Sequence, residues 1–178
     1  FYAFAELGKP IFGICRGFQL IFLEYCRTHP KLTNARFLYT QHIGNHNQSS
    51  SNLAARGTPT HMVSGMKYLL YNTKEKDLNG TLMAVNSMHH QACLIKIMAD
   101  RSVEITKQFT LLAWTVRGAD SFKNYVVAEA FSINEWMAGR ILAVQWHPEE
   151  LNDVELLRSF FEKKDERVIA NVATGVSV

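Results

Sequence analysis

The chain has 178 residues, of which 47% are hydrophobic and 20% charged, a composition typical of a globular domain with its own core. The 19 basic and 16 acidic residues leave a net charge of only +3, spread along the chain, which argues against a nucleic-acid partner bound by a basic cluster. No apolar run approaches the ~20 residues of a membrane span, and three cysteines suit no disulfide framework, so we expect a cytoplasmic protein.

The beginning of the chain predicts a strand followed by a helix. Residues 1–7 have the pattern of a helix end, with Gly8 as its C-terminal cap. The apolar run 10–14 does not alternate with polar residues, as in strands buried on both faces. Apolar residues at helical spacing continue over 16–29, and Pro30 is expected to stop this helix. Because a strand, a turn and a helix form half of a βαβ unit, we expect an α/β fold.

The remainder predicts mainly strands. The serine-rich stretch 41–52 has no periodicity and predicts a polar loop. A last helix is expected to start at Asn152, where Glu155 completes a capping box, and 163–178 predicts a loose tail. We therefore expect a single domain over 1–162. Short apolar stretches predict strands at 60–63, 68–71, 82–86, 111–117, 125–133 and 141–146. The strands 111–117 and 125–133 are expected to pair as a hairpin.

A cysteine lies between two glycines where the first strand gives way to the helix. The order Gly-x-Cys-x-Gly is the cysteine form of a nucleophile elbow, a turn so sharp that side chains at Gly13 and Gly17 are expected to clash. A thiol attacks as the thiolate, and the amides and dipole at a helix N-terminus favour that anion. Cys15 is therefore a candidate nucleophile, with the backbone amide of Arg16 as an oxyanion donor. The alternative is a buried structural cysteine.

A histidine that could accept the thiol proton occurs in "VQWHPEE". His147 directly follows a predicted buried strand, at the carboxyl edge where open α/β sheets place their sites. Pro148 constrains the backbone, so that Glu149 can turn back and orient His147. Cys15 and His147 would then lie at equivalent ends of two parallel strands and share a proton. Taken alone, His147 could equally be a surface residue after a strand.

Three segments in this order and spacing, GICRGFQ, VNSMHHQ and VQWHPE, resemble the class I glutamine amidotransferase superfamily. The double histidine favours its γ-glutamyl hydrolase branch, peptidase family C26, typified by γ-glutamyl-γ-aminobutyrate hydrolase. The resemblance covers roughly 5–162. It implies a flavodoxin-like fold, an open and mostly parallel sheet with helices on both faces. Family members have βα units before the elbow, so we expect the N-terminal units to be missing from this chain, which opens on Phe1.

The resemblance also implies a role for each residue of the site. Cys15 would be the nucleophile, His147 the general base and acid, and Glu149 the group that orients His147. A γ-glutamyl substrate carries an α-ammonium and an α-carboxylate, which need directional donors and acceptors rather than an apolar pocket. The residues expected around the glutamyl moiety are Gln19, Ser87, His89 and His90.

A metal site is the competing use of the histidines. His42 and His46 are four residues apart, but the glutamate of the zinc-protease motif is absent and the segment does not predict a helix. His89, His90 and Cys93 could begin a zinc site, but no second pair of ligands follows at the spacing that such sites show. We therefore expect no metal and no cofactor, and Cys26, on the apolar stripe of the first long helix, is expected to be a core residue.

The expected reaction is a two-step acyl transfer on a small γ-glutamyl substrate. The thiol attacks the γ-carbonyl, a glutamyl thioester forms, and water then releases glutamate. One alternative is a glutaminase subunit that delivers ammonia to a partner synthetase through the same site residues. Another is a non-catalytic or redox-sensing relative. We expect neither nucleic acid nor membrane as a partner. The sequence does not identify the amine on the far side of the γ-glutamyl bond. It also does not decide between a homo-oligomer and a synthetase partner.

Overall fold

The computed structural model describes residues 2–29, 35–38, 56–65, 81–96, 109–116, 125–136 and 139–162. Within these segments lie three helices, α1 (Tyr2–Glu6), α2 (Arg16–Thr28) and α3 (Val154–Phe161). The same segments hold the strands β1 (Ile11–Ile14), β2 (Ala35–Leu38), β3 (His61–Gly65), β4 (Thr81–Val85), β5 (Ala92–Lys96), β6 (Phe109–Val116), β7 (Tyr125–Trp136) and β8 (Gly139–Val144). None of the described helices has the length and apolarity needed to cross a lipid bilayer.

The predicted helix, strand and helix at the start of the chain are confirmed. Helix α1 ends through Gly8, whose φ of 66° is a left-handed conformation that glycine adopts without steric cost. Strand β1 follows, and a single residue, Cys15, separates it from α2. The predicted loop 41–52, strand 68–71 and tail 163–178 lie outside the described residues.

The strands form one mixed sheet in the order β1-β8-β7-β6-β3-β4, with β5 joined to β7 and β2 joined to β5. The 12-residue strand β7 explains the branching: its first part pairs with β5 and its later part with β8, both antiparallel. Of the described pairs only β1–β8 is parallel. The prediction of a mostly parallel sheet was therefore wrong for this part of the chain, because hairpins such as β6–β7 connect neighbouring strands directly.

Helices α2 and α3 pack against different clusters of buried side chains. Successive residues of β8 point to opposite faces of the sheet, so Ile141 and Ala143 join the cluster of α2, whereas Leu142 and Val144 join that of α3. The α2 cluster is aromatic, with the rings of Phe18 and Phe131 centred 4.7 Å apart. Each fully buried side chain of this kind contributes ~1.5–3 kcal/mol to folding. Strand β8 is thereby fixed from both sides.

The last helix begins later than the sequence predicts. Asp153, not Asn152, caps α3, because its Oδ1 accepts a hydrogen bond from the amide of Leu156 at 3.2 Å. Asn152 precedes the cap with a φ of 54°, a left-handed turn that asparagine tolerates better than most residues. The turn directs the chain from the end of β8 back across the sheet into α3.

Candidate active site

Cys15 occupies a strained turn between β1 and α2. Its φ of 49° and ψ of −102° are unusual for any residue other than glycine and cost about 1–3 kcal/mol. Hydrogen bonds hold both of its backbone groups: its amide donates to the carbonyl of Val144 at 2.9 Å, and its carbonyl accepts from the amide of Gln19 at 3.1 Å. The parallel neighbour β8 and the first turn of α2 therefore maintain the strain.

The two glycines of the elbow differ in what they permit. A Cβ built on Gly13 would lie 2.6 Å from Cδ1 of Ile21 and 3.2 Å from Cβ of Ala143, so a larger residue would require the Ile21 side chain to move and β8 to shift by a few tenths of an ångström. At Gly17 a Cβ would meet nothing within 4 Å. The expectation of a clash at Gly17 was wrong, because Gly17 already lies inside α2.

The parallel pair of strands brings His147 to the elbow. Strand β8 ends at Val144, and its continuation places the imidazole of His147 beside the side chain of Cys15. On its other side, Nδ1 of His147 lies 2.7 Å from Oε1 of Glu149. The His147 side chain is 17% exposed and the Glu149 side chain 46%. Cys15, His147 and Glu149 thus lie next to one another, and the group opens to solvent at the glutamate.

These contacts change the acidity of the imidazole. Interaction with the neighbouring Cys15 side chain, assisted by the hydrogen bond and charge of Glu149, raises the pKa of His147 to about 9, although partial burial acts in the opposite direction. The ring is therefore mainly protonated at neutral pH. A protonated ring in this position can donate a proton to a group that is bound beside the sulfur.

The fully buried Asn86 holds the backbone of His147 through both of its polar groups. Its Oδ1 accepts from the His147 amide at 2.9 Å, and its Nδ2 donates to the His147 carbonyl at 3.1 Å. The same Nδ2 donates to the carbonyl of Arg56 at 2.7 Å. The loop that carries the histidine is therefore fixed to the end of β4.

A second contact ties the segment around Arg56 to this loop. Nη2 of Arg56 lies 2.6 Å from Oε1 of Glu150, and both side chains are about one quarter exposed. A Cβ on Gly57 would lie 2.8 Å from the carbonyl oxygen of Glu150, so the backbones touch. The loop after β8 is thus held by Asn86 on one side and by residues 56–57 on the other.

Amide side chains connect the beginning of α2 to the end of β8. Gln19 is 4% exposed, and its Nε2 donates to Oε1 of Gln145 at 3.2 Å and to the carbonyl of Gln91 at 3.3 Å. Nη1 of Arg16 donates to Oε1 of Gln91 at 2.8 Å and to Oε1 of Gln19 at 3.3 Å. Four polar side chains therefore form one network that begins at the residue after Cys15.

The other residues predicted from the sequence lie near this network but differ in exposure. Ser87 is fully buried and His89 is 4% exposed. Nδ1 of His89 lies 2.8 Å from the carbonyl of Gln91, so His89 and Gln19 meet at the same oxygen. Because a carbonyl only accepts, Nδ1 of His89 carries the hydrogen. His90 is exposed, and no hydrogen bond joins it to the other described residues.

Sequence reasoning missed several buried polar residues around the site. Asn86 and Gln145 each directly follow a buried strand, and this placement of a polar residue was a usable signal. His61 and the fully buried Glu129 lie 3.3 Å apart, but they come from β3 and β7, and no local pattern links them. Among the described residues no group of three or more His, Cys, Asp and Glu could hold a metal ion.

Comparison with known proteins gives one family. The model of the family described as Peptidase C26 matches residues 1–149. No curated protein matches the chain. The matched range contains the strained elbow, the polar residues after β4 and the hydrogen-bonded His147, and it ends at Glu149.

Proposed function

This chain belongs to the peptidase C26 family, and on that basis we propose that it is a hydrolase that cleaves γ-glutamyl amides with Cys15 as nucleophile. The observation that carries the proposal is the position of the His147 ring beside the side chain of Cys15 at the elbow, with Oε1 of Glu149 2.7 Å from Nδ1 of that ring. A nucleophile in contact with a base, with the base held by a third group, is the arrangement that activates a thiol for acyl transfer.

In the first proposed step, Cys15 attacks the γ-carbonyl carbon of the substrate as the thiolate, its proton having passed to His147. The protonated His147 donates its proton to the leaving amine, the carbon–nitrogen bond breaks, and a glutamyl thioester remains on the sulfur. The pKa of about 9 supports this step, because the imidazole holds the required proton at neutral pH. Loss of that proton leaves a neutral ring.

In the second step, the neutral His147 takes a proton from water, and the resulting hydroxide attacks the thioester. Glutamate leaves, and Cys15 and His147 return to their starting states. Glu149 keeps the ring oriented through both steps. We further propose that the amide of Arg16 stabilises the oxyanion. The first helical hydrogen bond of α2 runs from the Gln19 amide to the Cys15 carbonyl. The amides before Gln19, including that of Arg16, therefore have no carbonyl acceptor one helical turn back in the chain.

The glutamyl moiety is proposed to lie against Gln19, Ser87, His89 and His90. Burial and shared hydrogen bonding at the Gln91 carbonyl support Gln19 and His89, whose side chains are held in single positions. For the fold, we propose a glutamine amidotransferase-like domain over 1–162 with 163–178 as a tail, supported by the parallel pair β1–β8 and by the separate clusters of α2 and α3. No cofactor takes part in this chemistry, and the cytoplasm is the proposed compartment.

The test is hydrolysis of a panel of γ-glutamyl amides by the full-length protein. The panel contains glutamine, γ-glutamyl-aminobutyrate, a folate polyglutamate and a γ-glutamyl peptide. Cys15→Ala should lower kcat by roughly 10³-fold or more, as expected when a nucleophile is removed. Cys26→Ala, a change at a partly buried cysteine that packs against the core, should leave kcat nearly unchanged.

The same panel decides between the two activities that the family suggests. A preference for free glutamine that appears only when a partner synthetase is added would assign the chain as a glutaminase subunit. Hydrolysis that persists in Cys15→Ala would reject both assignments, since each needs the thiol.

A further inference from the structure

We propose that the guanidinium of Arg16 binds the α-carboxylate of the substrate and so selects a γ-glutamyl group over other acyl groups. The inference rests on the proposed function and adds a specificity-determining side chain to it. The two parts of Arg16 have separate roles: its backbone amide faces the oxyanion, and its side chain binds the far end of the glutamyl unit.

Arg16 occupies a position close to the reacting thiol. It is adjacent to Cys15 in the chain and is exposed at the first residue of α2. In a γ-glutamyl amide only two methylene groups separate the reacting carbonyl from the α-carbon. A side chain that starts one residue from the nucleophile can therefore reach the carboxylate while the sulfur reaches the carbonyl.

The guanidinium of Arg16 is held in place but has unused donors. Nη1 donates to Oε1 of Gln91 at 2.8 Å and to Oε1 of Gln19 at 3.3 Å. Within the described segments Nε and Nη2 of Arg16 make no hydrogen bond, and no carboxylate forms an ion pair with Arg16. Both acceptors are neutral amides, so the positive charge is oriented without being neutralised.

The same network contains a buried donor. Gln145 is fully buried, its Oε1 accepts from Gln19, and its Nε2 has no hydrogen-bond partner among the described residues. A buried amide nitrogen without a partner is destabilising, and a bound acceptor would remove that cost. A carboxylate provides several acceptor positions, and the donors of Arg16 and Gln145 are joined through Gln19.

The chemistry of a guanidinium matches that of a carboxylate. A guanidinium binds a carboxylate through two parallel N–H groups, with more geometric selectivity than an ammonium provides. Because the two amides accept only from Nη1, the Nε and Nη2 donors of Arg16 remain available. An acyl group that lacks the α-carboxylate would leave this cation unpaired and would lose that interaction.

The test uses two anilides that differ only at the α-carbon. L-γ-glutamyl-p-nitroanilide carries the carboxylate, and 4-aminobutyryl-p-nitroanilide has hydrogen in its place. In the full-length protein, Arg16→Gln should raise KM for the γ-glutamyl anilide ~10–100-fold, the usual range for losing a hydrogen bond to a charged group. The aminobutyryl anilide should be nearly unaffected, and Arg16→Lys should lie between. Arg27→Gln, an exposed arginine of the same helix that pairs with Glu24, is the control.

Equal losses on both anilides, or no loss on either, would overturn the proposal, because Arg16 would then act on the fold or the elbow. If the unmodified protein cleaves neither these anilides nor any γ-glutamyl amide of the panel above, the proposed hydrolase fails, and binding then tests the carboxylate site by itself. In that case the dissociation constants of both anilides are measured on Cys15→Ala with and without Arg16→Gln. Selective weakening for the γ-glutamyl anilide would retain the carboxylate site, and equal dissociation constants would remove it.

Discussion

At the scale of single residues, the site depends on side chains held by more than one partner. His147 contacts Cys15 and Glu149 through its ring, and Asn86 holds both polar groups of its backbone. Cys15 keeps an unfavourable φ because hydrogen bonds fix its amide and its carbonyl. Such multiple anchoring holds reacting groups within the small tolerance that acyl transfer requires.

Glu149→Gln should move the alkaline limb of the kcat/KM profile to lower pH. The protonated imidazole protonates the leaving amine, so the rate should fall as pH rises through the pKa of His147, about 9. The Glu149 carboxylate raises that pKa, and glutamine lacks its charge. Initial rates from pH 6 to 10 measure the limb. Glu150→Gln removes the next carboxylate, which pairs with Arg56, and a shift of equal size there would contradict the assignment.

Asn86→Ala should lower kcat by ~10–100-fold with little change in KM, because small displacements of a reacting group are costly. The substitution removes two hydrogen bonds to the His147 backbone and one to Arg56. Asn134→Ala is the matched control, since Nδ2 of Asn134 has no hydrogen-bond partner in the described part of β7 or its neighbours. If KM rises while kcat is nearly unchanged, Asn86 does not position the histidine.

At the scale of elements, the unit formed by β1, the elbow and α2 depends on close approach. Gly13 lets the backbone of β1 lie against α2 and β8, and this contact puts the end of β1 beside the end of β8. The sequence pattern treats the two elbow glycines alike, but their surroundings differ. Only Gly13 is enclosed on three sides, by Ile21, Ala143 and Gly17.

Gly13→Ala should reduce the free energy of unfolding by ~1–3 kcal/mol, because the added methyl overpacks a buried contact. Gly17→Ala is the control: the methyl enters open space inside a helix, where alanine stabilises by about 0.4–1 kcal/mol relative to glycine. Urea unfolding of the full-length protein and both variants measures the difference. Equal destabilisation of the two variants would mean that strain of the turn, rather than packing of β1 on α2, sets the requirement for glycine.

At the scale of the whole molecule, the three cysteines differ in burial and therefore in the expected reactivity of their thiols. Cys15 lies at the elbow beside His147, whereas Cys26 packs against the α2 cluster and Cys93 is fully buried in it. Burial raises the pKa of the Cys26 thiol to about 11 and that of Cys93 well above its usual range. The folded chain should therefore present one reactive thiol.

Iodoacetamide at pH 8 should modify Cys15 alone in the folded protein. At a pKa of about 11, roughly one Cys26 thiol in a thousand is ionised at that pH, and only the thiolate reacts. Peptide mass spectrometry locates the label, and all three cysteines should react in denaturant. Labelling of Cys26 at the rate of Cys15 in the folded protein would show that the α2 cluster opens to solvent.

The sequence by itself determined the features that depend on neighbours in the chain. The elbow between β1 and α2 follows from glycine spacing, and the strand before His147 follows from its apolar run, because each needs only local patterns. The pairing of β6 with β7 is likewise a contact between neighbours in the chain. Family membership could be predicted because its motifs are short and continuous.

Only the tertiary structure decided the features that depend on distant residues. Strands β2 and β5 were missed because they are short and gain their stability from pairing with each other and with β7. Asn86 beneath His147 and the unpaired donors of Arg16 become visible only when β4, α2 and β8 meet. The physical reason is that hydrogen bonds and ion pairs act over a few ångströms of space, and distances along the chain do not determine which groups come that close.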